Sequence, residues 1–321
     1  MRKLEKLEKL EKLECLLLAA VAVLLAIGLF GPLFGLFVAQ PEHQHDFADQ
    51  RVWGAIPFAM DVLSNLPFAL WGAVGLGCVA ALFGQKGLPQ RSMGGAQTTI
   101  ELGMAALFFA GLLATAAASS WYHWLPNNSG LAIDRLGMTV AFAGLLGLAA
   151  AGQVSGRAGL GLGCAVLVLG ALSVRVWLVD GTVLPWVLVQ FGGMAVVLWL
   201  ACLAPLPGAL PVRWRLVIAF YAVAKLLELG DHLIYDLTAN VVSGHTLKHA
   251  VASLTAWPVL AALGVWLKSS RGAASLRLQV HKIRAECPSQ GQCGVPGQVP
   301  SQLHAPCGLY AVKTNQKRSQ A

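Results

Sequence analysis

Residues 101–125 read ELGMAALFFAGLLATAAASSWYHWL, and residues 131–151 read LAIDRLGMTVAFAGLLGLAAA. Between them stands Pro126-Asn-Asn-Ser-Gly130, a run of turn-forming residues. Each apolar run matches the roughly 20 residues that carry an α-helix across a hydrocarbon layer about 30 Å thick. Glu101, His123, Asp134 and Arg135 are the only acidic, basic or imidazole side chains in the two runs. The pair reads as a transmembrane helical hairpin, which makes lipid the solvent for the rest of the chain.

Six further segments of the same kind flank the hairpin, at 15–38, 57–83, 158–178, 184–206, 213–236 and 243–267. The composition agrees, with 56% hydrophobic and only 12% charged residues, about half the charge of a soluble domain. The expected fold is all-α: a polytopic transmembrane helix bundle of eight spans. With the N-terminus in the cytoplasm, the inner side receives 18 of the 23 Lys and Arg, and the outer loops hold only Arg51. That is the positive-inside bias, and it places both termini in the cytoplasm. The net charge of +8 then reports topology, and no nucleic-acid partner is needed to explain it.

Four regions follow. Residues 1–14 form a charged Lys-Leu-Glu repeat, and residues 15–45 an extra N-terminal span with its outer loop. Residues 46–267 form a seven-span domain, and residues 268–321 a basic tail whose Gly, Pro, Gln and Ser content predicts disorder. The seven Cys contain no Cys-x-x-Cys spacing, so neither a disulfide framework nor a thiolate zinc site is expected.

Ionisable groups inside a bilayer are costly and mark function by default. Here they gather at one depth. Asp61, Ser64 and Asn65 open the 57–83 span from the outer side, and Ser119, Ser120 and His123 close the 101–125 span there. Asp134 and Arg135 open the next span, Glu228, Asp231 and His232 lie in the outer half of 213–236, and His245, Lys248 and His249 open the last. Five helices thus bring polar groups to the outer-leaflet half.

Ser119 and His123 are i, i+4, so a hydroxyl and an imidazole share a helix face. His245 and His249 have the same spacing and aim two imidazoles at one point, as in helical zinc sites. The turn at 126–130 returns Asp134 to the depth of His123. Three His on two helices, with a carboxylate and a hydroxyl nearby, suit a zinc site with a fourth position open to water. The plainer readings are that His123 is a packing residue, that Asp61 and Asn65 form a structural network, and that Lys225, Glu228 and Asp231 form an internal ion-pair network. His43 and His45 read as loop-surface residues, and the outer aromatics, Tyr122, Trp177 and Trp186 among them, as an interface belt.

The set Ser119-x-x-x-His123, Asp134 and His245-x-x-x-His249 resembles the alkaline ceramidase family. That family belongs to a superfamily of seven-span metal-dependent membrane hydrolases that also contains adiponectin-type receptors. Asp49-Gln-Arg51, Asp61-Val-Leu-Ser-Asn-Leu-Pro-Phe68, Asp134-Arg-Leu-Gly-Met-Thr139 and Ser243-Gly-His-Thr-Leu-Lys-His249 look like bacterial-type members. The resemblance covers residues 46–267 and leaves the first span as an addition to a seven-helix core.

The resemblance implies Zn2+ held by His123, His245 and His249, with Ser119 and Asp134 as catalytic neighbours. It implies a bacterial inner-membrane hydrolase that cleaves the amide bond of a ceramide-like lipid with zinc-activated water. Animal members also hold Ca2+ in acidic residues around the first core helix. The glutamate needed there falls near Phe58 in this chain, with Asp46, Asp49 and Asp61 nearby, which speaks against calcium regulation. The alternative is a receptor or lipid-sensing protein with a structural zinc. An ion transporter relaying through Lys225, Glu228 and Asp231 would be a third reading, but the sequence displays no inverted repeat or broken-helix pair in its support.

Overall fold

The computed structural model describes residues 2–42, 44–84 and 95–268. His43, the loop carrying Lys86 and Arg91, and the tail from residue 269 lie outside the described residues. Among the described residues the chain is helical, and its β-structure is limited to two isolated bridges, Ala39 with Thr182 and Trp53 with Ile56. Six helical segments are long and apolar enough to cross a membrane: Ala59–Phe83, Gly95–Trp124, Asn128–Gln153, Gly156–Asp180, Leu184–Ala201 and Gly244–Lys268. They fit an integral multi-pass membrane protein.

The other two expected segments take a different form. Helix α1 (Arg2–Phe30) runs without a break through the Lys-Leu-Glu repeat into the apolar stretch, then tightens to a 3-10 turn at Gly31–Phe34. Its apolar part is therefore shorter than the 15–38 expected. Near its charged end, Glu14 accepts from Ser155 and pairs with Arg157 at 3.3 Å. The 213–236 segment is divided at Gly230 into α9 (Trp214–Leu229) and α10 (Asp231–Leu237).

Two of the six spans are also interrupted. Ala59–Phe83 consists of α2 (Ala59–Leu63) and α3 (Leu66–Phe83), with Pro67 in the first turn of α3. The last span consists of α11 (Gly244–Ser253) and a helix over 256–268 that contains Pro258. A proline removes its own N–H and crowds the carbonyl four residues earlier, which accounts for breaks just upstream of each. Irregular backbone at membrane depth must find partners within the protein. At the first break the Asp61 carbonyl accepts from Ser64 Oγ at 3.0 Å and Asn65 Nδ2 at 2.9 Å. The sequence reading found no broken helices because hydropathy averages across such short interruptions.

Side-chain caps open three of the helices. Helix α4 (Gly95–Trp124) is followed by Asn127, whose side chain accepts from Gly130 N at 2.8 Å to open α5 (Asn128–Gln153). Ser155 caps α6 (Gly156–Asp180) through Ala158 N, and Ser243 caps α11 through Thr246 N, both at 3.0 Å. These are ordinary N-cap bonds. Between α7 (Leu184–Val187) and α8 (Gly193–Ala201) the helix widens to a π-turn at Leu188–Gly192.

Helices α4 and α5 pack backbone to backbone. A Cβ on Gly111 would overlap the Ala141 backbone, and one on Gly144 would overlap the Phe108 backbone. Small residues at such crossings let membrane helices approach closely, where dispersion supplies the attraction that water cannot. Phe108, Phe109, Leu146 and Leu148 fill the core beside this contact, while Leu70, Val74, Leu160 and Val168 are exposed on the outside. That apolar exterior is what lipid requires.

Candidate metal centre

Helix α4 ends with Ser119 and His123 on one face, and α11 begins with His245 and His249 on one face. The bundle brings the three imidazoles together. One ligand nitrogen from each lies within 4.8 Å of the others, and the Nε2 atoms of His123 and His245 are 3.3 Å apart. Ring centroids are separated by 4.8 to 5.0 Å with interplanar angles of 65° to 87°. All three side chains are buried.

Surrounding groups decide which nitrogens face inward. Ser64 Oγ donates to the Asp61 carbonyl and lies 2.8 Å from His249 Nδ1. With its one hydrogen committed, the hydroxyl accepts from Nδ1–H, leaving the His249 Nε2 lone pair for the cluster. His245 is placed through its backbone: its N–H donates to Asp231 Oδ1 at 2.7 Å, while Asp231 Oδ2 accepts from Ala48 N at 3.1 Å. Thr246 Oγ1 donates to Asp61 Oδ1 at 2.7 Å, joining α11 to α2. This is the usual role of groups behind the ligands, which fix ring tautomer and orientation.

The donor set fits a metal ion. Three buried, convergent imidazole nitrogens suit zinc, copper, iron or nickel, and the geometry leaves the metal's identity open. Lys248 Nζ stands 3.1 Å from His245 Nε2, but Glu228 at 2.9 Å gives that ammonium a second partner. Glu228 also pairs with Lys225 at 2.5 Å. The ion-pair group is thus Lys225–Glu228–Lys248, and Asp231 serves as a backbone acceptor instead of its third member.

The cluster borders a cavity of about 640 Å³. Ser119, Asp134, His245 and His249 line its polar end, and Phe108, Leu112, Met138, Phe142, Leu145 and Met194 are among its apolar walls. Ser119 and Asp134 both face the cavity at this end, and Asp134 Oδ1 is buried without a hydrogen-bond partner among the described residues. His123 lies outside the cavity lining and 1% exposed, so His245 and His249 face the opening.

The outer loop contributes what sequence reading missed. Phe47 sets its ring edge-to-face on both His123 and His245, with centroids 4.6 and 4.7 Å away. His45, read as a surface residue, lies 2.9 Å from both Tyr122 Oη and Asn128 Oδ1. Both oxygens of Asp49 are occupied by Arg51, at 2.8 and 2.5 Å; this hydrogen bonding raises the Arg51 pKa above its ordinary value. Trp53, Trp121 and Trp124 are exposed, but Tyr122, Trp177 and Trp186 are buried. These last three turn towards the bundle and do not belong to an interface belt.

No family model matches the chain, and no curated protein or solved structure matches it.

Proposed function

We propose that the chain is a zinc-dependent integral-membrane hydrolase that cleaves the amide bond of a ceramide-like lipid. The observation that carries this reading is the buried His123–His245–His249 cluster at the polar end of a cavity that also presents Ser119 and Asp134. Apolar walls and about 640 Å³ suit aliphatic chains. The resemblance to bacterial-type alkaline ceramidases supplies the substrate class. The topology proposed with it has eight spans, both termini cytoplasmic, in a bacterial inner membrane with the site in the outer-leaflet half.

His123, His245 and His249 would hold the zinc, which when bound lowers the pKa of water and polarises a carbonyl. The residues of the chain do the rest. The Asp134 carboxylate accepts a proton from water and returns it to the leaving amine, for which hydrogen-bond contact is required. Ser119 Oγ, on the same lining, offers a donor to the carbonyl oxygen as charge develops there. The apolar walls hold the acyl chain and keep bulk water from the reacting carbonyl.

The test is zinc content and lipid turnover on purified, detergent-solubilised protein, with His245→Ala and Asp134→Ala beside wild type. The expected result is stoichiometric zinc in wild type and Asp134→Ala, with fatty acid released from a ceramide panel by wild type alone. Zinc retained with no amide cleaved by any of the three would overturn the hydrolase and favour a receptor with a structural metal. Full turnover in zinc-free His245→Ala would overturn the metal's role.

A further inference from the structure

Arg135 occupies the wall of the same cavity, next to Asp134 on α5. Its side chain is 5% exposed. The guanidinium carbon lies 4.2 Å from the Trp177 ring centroid and 5.7 Å from that of Trp186. Indole rings attract the cation through its face but offer nothing to the N–H groups around its edge. Nη1 is buried and has no hydrogen-bond partner among the described residues.

The other two cations lining the cavity, Lys225 and Lys248, share the Glu228 carboxylate. Among the described residues, no carboxylate stands in ion-pair contact with Arg135. A guanidinium stays charged and presents five donors in a rigid fork that matches carboxylate and phosphate. The Asp134 charge acts on the guanidinium from the neighbouring position, yet Nη1 has no acceptor among the described residues. A buried guanidinium donor left open is unfavourable, and an anion entering the cavity would supply the missing acceptor. Gln190 adds a polar side chain on the same lining, at the π-turn. Such widened turns recur at functional sites.

The geometry points to Arg135 as the receptor for an anionic group, a carboxylate or a phosphate, carried on a lipid chain that occupies the cavity. This rests on the proposed hydrolase only in making the occupant a substrate. On that footing, the preferred substrate is a ceramide-like lipid amide that also bears an acid group. Trp177 holds the guanidinium plane, and the apolar walls hold the chain.

Equilibrium binding of radiolabelled oleate, oleyl phosphate and oleyl alcohol to the full-length protein in one detergent tests this without any turnover. Wild type is expected to bind at least one of the two anions about tenfold or more tighter than the alcohol, the worth of a charge-assisted hydrogen bond. The favoured anion identifies carboxylate or phosphate as the recognised group. In Arg135→Gln the anion is expected to fall to the alcohol's affinity, and Arg135→Lys to recover part of the difference.

His245→Ala separates the guanidinium from a metal that could itself take the carboxylate. Preference kept in His245→Ala and lost in Arg135→Gln supports the inference; the reverse pattern overturns it. Equal binding of acid, phosphate and alcohol by wild type overturns it too, and needs no variant to fold. Anion preference in a protein that cleaves no amide would retire the hydrolase and leave this site standing.

Discussion

His249 Nδ1 and Ser64 Oγ are 2.8 Å apart, across a contact between α11 and the break separating α2 from α3. The break that Pro67 imposes is what frees the Asp61 carbonyl to engage the Ser64 hydroxyl, and that hydroxyl in turn sets the imidazole tautomer. A helix interruption and a candidate metal ligand are thus one piece of chemistry. Ser64→Ala should weaken metal binding about 10- to 100-fold, the usual cost of losing a group behind a ligand. Competition against a chelator of known affinity reads this directly; unchanged affinity would mean that packing alone orients the ring.

Ser119 and Asp134 line the same polar end of the cavity but should fail differently. Asp134→Asn keeps a polar side chain of the same shape and removes proton transfer, so zinc is expected to remain while turnover is lost by about 10²- to 10⁴-fold. Ser119→Ala should retain turnover at a level about 10²- to 10³-fold lower, the cost of one donor to a developing oxyanion. Single-turnover rates on the metal-loaded variants separate the two. Equal losses with zinc missing from both would assign the pair to folding.

Asp231 accepts one backbone N–H from the outer loop at Ala48 and one from α11 at His245. Asp231→Ala leaves both donors without that carboxylate. Bonds to a charged acceptor are worth about 1.5–3 kcal/mol each, so a clear fall in Tm is expected in detergent, with Asp231→Asn recovering part. An unchanged Tm would mean that the loop is held by His45 and Arg51 instead.

The α4–α5 crossing should reject any side chain. Gly144→Leu would drive carbon into the Phe108 backbone, a clash that neither helix can relieve by a rotamer change. Overpacking of this kind costs about 1–3 kcal/mol or more. Gly77→Ala is the control, since its added methyl meets nothing within 4 Å. Thermal unfolding in detergent should separate the two widely, with the Gly77 variant at least as stable as wild type.

The bundle and the histidine cluster were legible in the sequence because both rest on local rules. An apolar run about as long as a bilayer is thick reads as a span, and His245 with His249 share a face because i, i+4 neighbours always do. What escaped was non-local or below the resolution of hydropathy. Phe47 meets His245 across nearly 200 residues of chain, and no spacing announces that. Trp177 and Trp186 were read as part of an interface belt because their depth was legible but not the side of the helix they occupy. The proline breaks were visible as residues, yet a window average dilutes two or three irregular positions. Glu228 pairs with Lys248 across two helices, so the i, i+3, i+6 pattern through Asp231 suggested the wrong third member.

Gly111 and Gly144 have a consequence for how the protein meets membranes of different composition. A bilayer that thickens or thins makes helices change tilt, and loosely packed helices do so independently. Here the helix bearing Ser119 and His123 lies in backbone contact with the helix bearing Asp134, so the two tilt as one body. Spacing between Asp134 and the α4 imidazole is thereby insulated from lipid thickness, and any sensitivity to it falls on the seam with α11, where His245 and His249 enter.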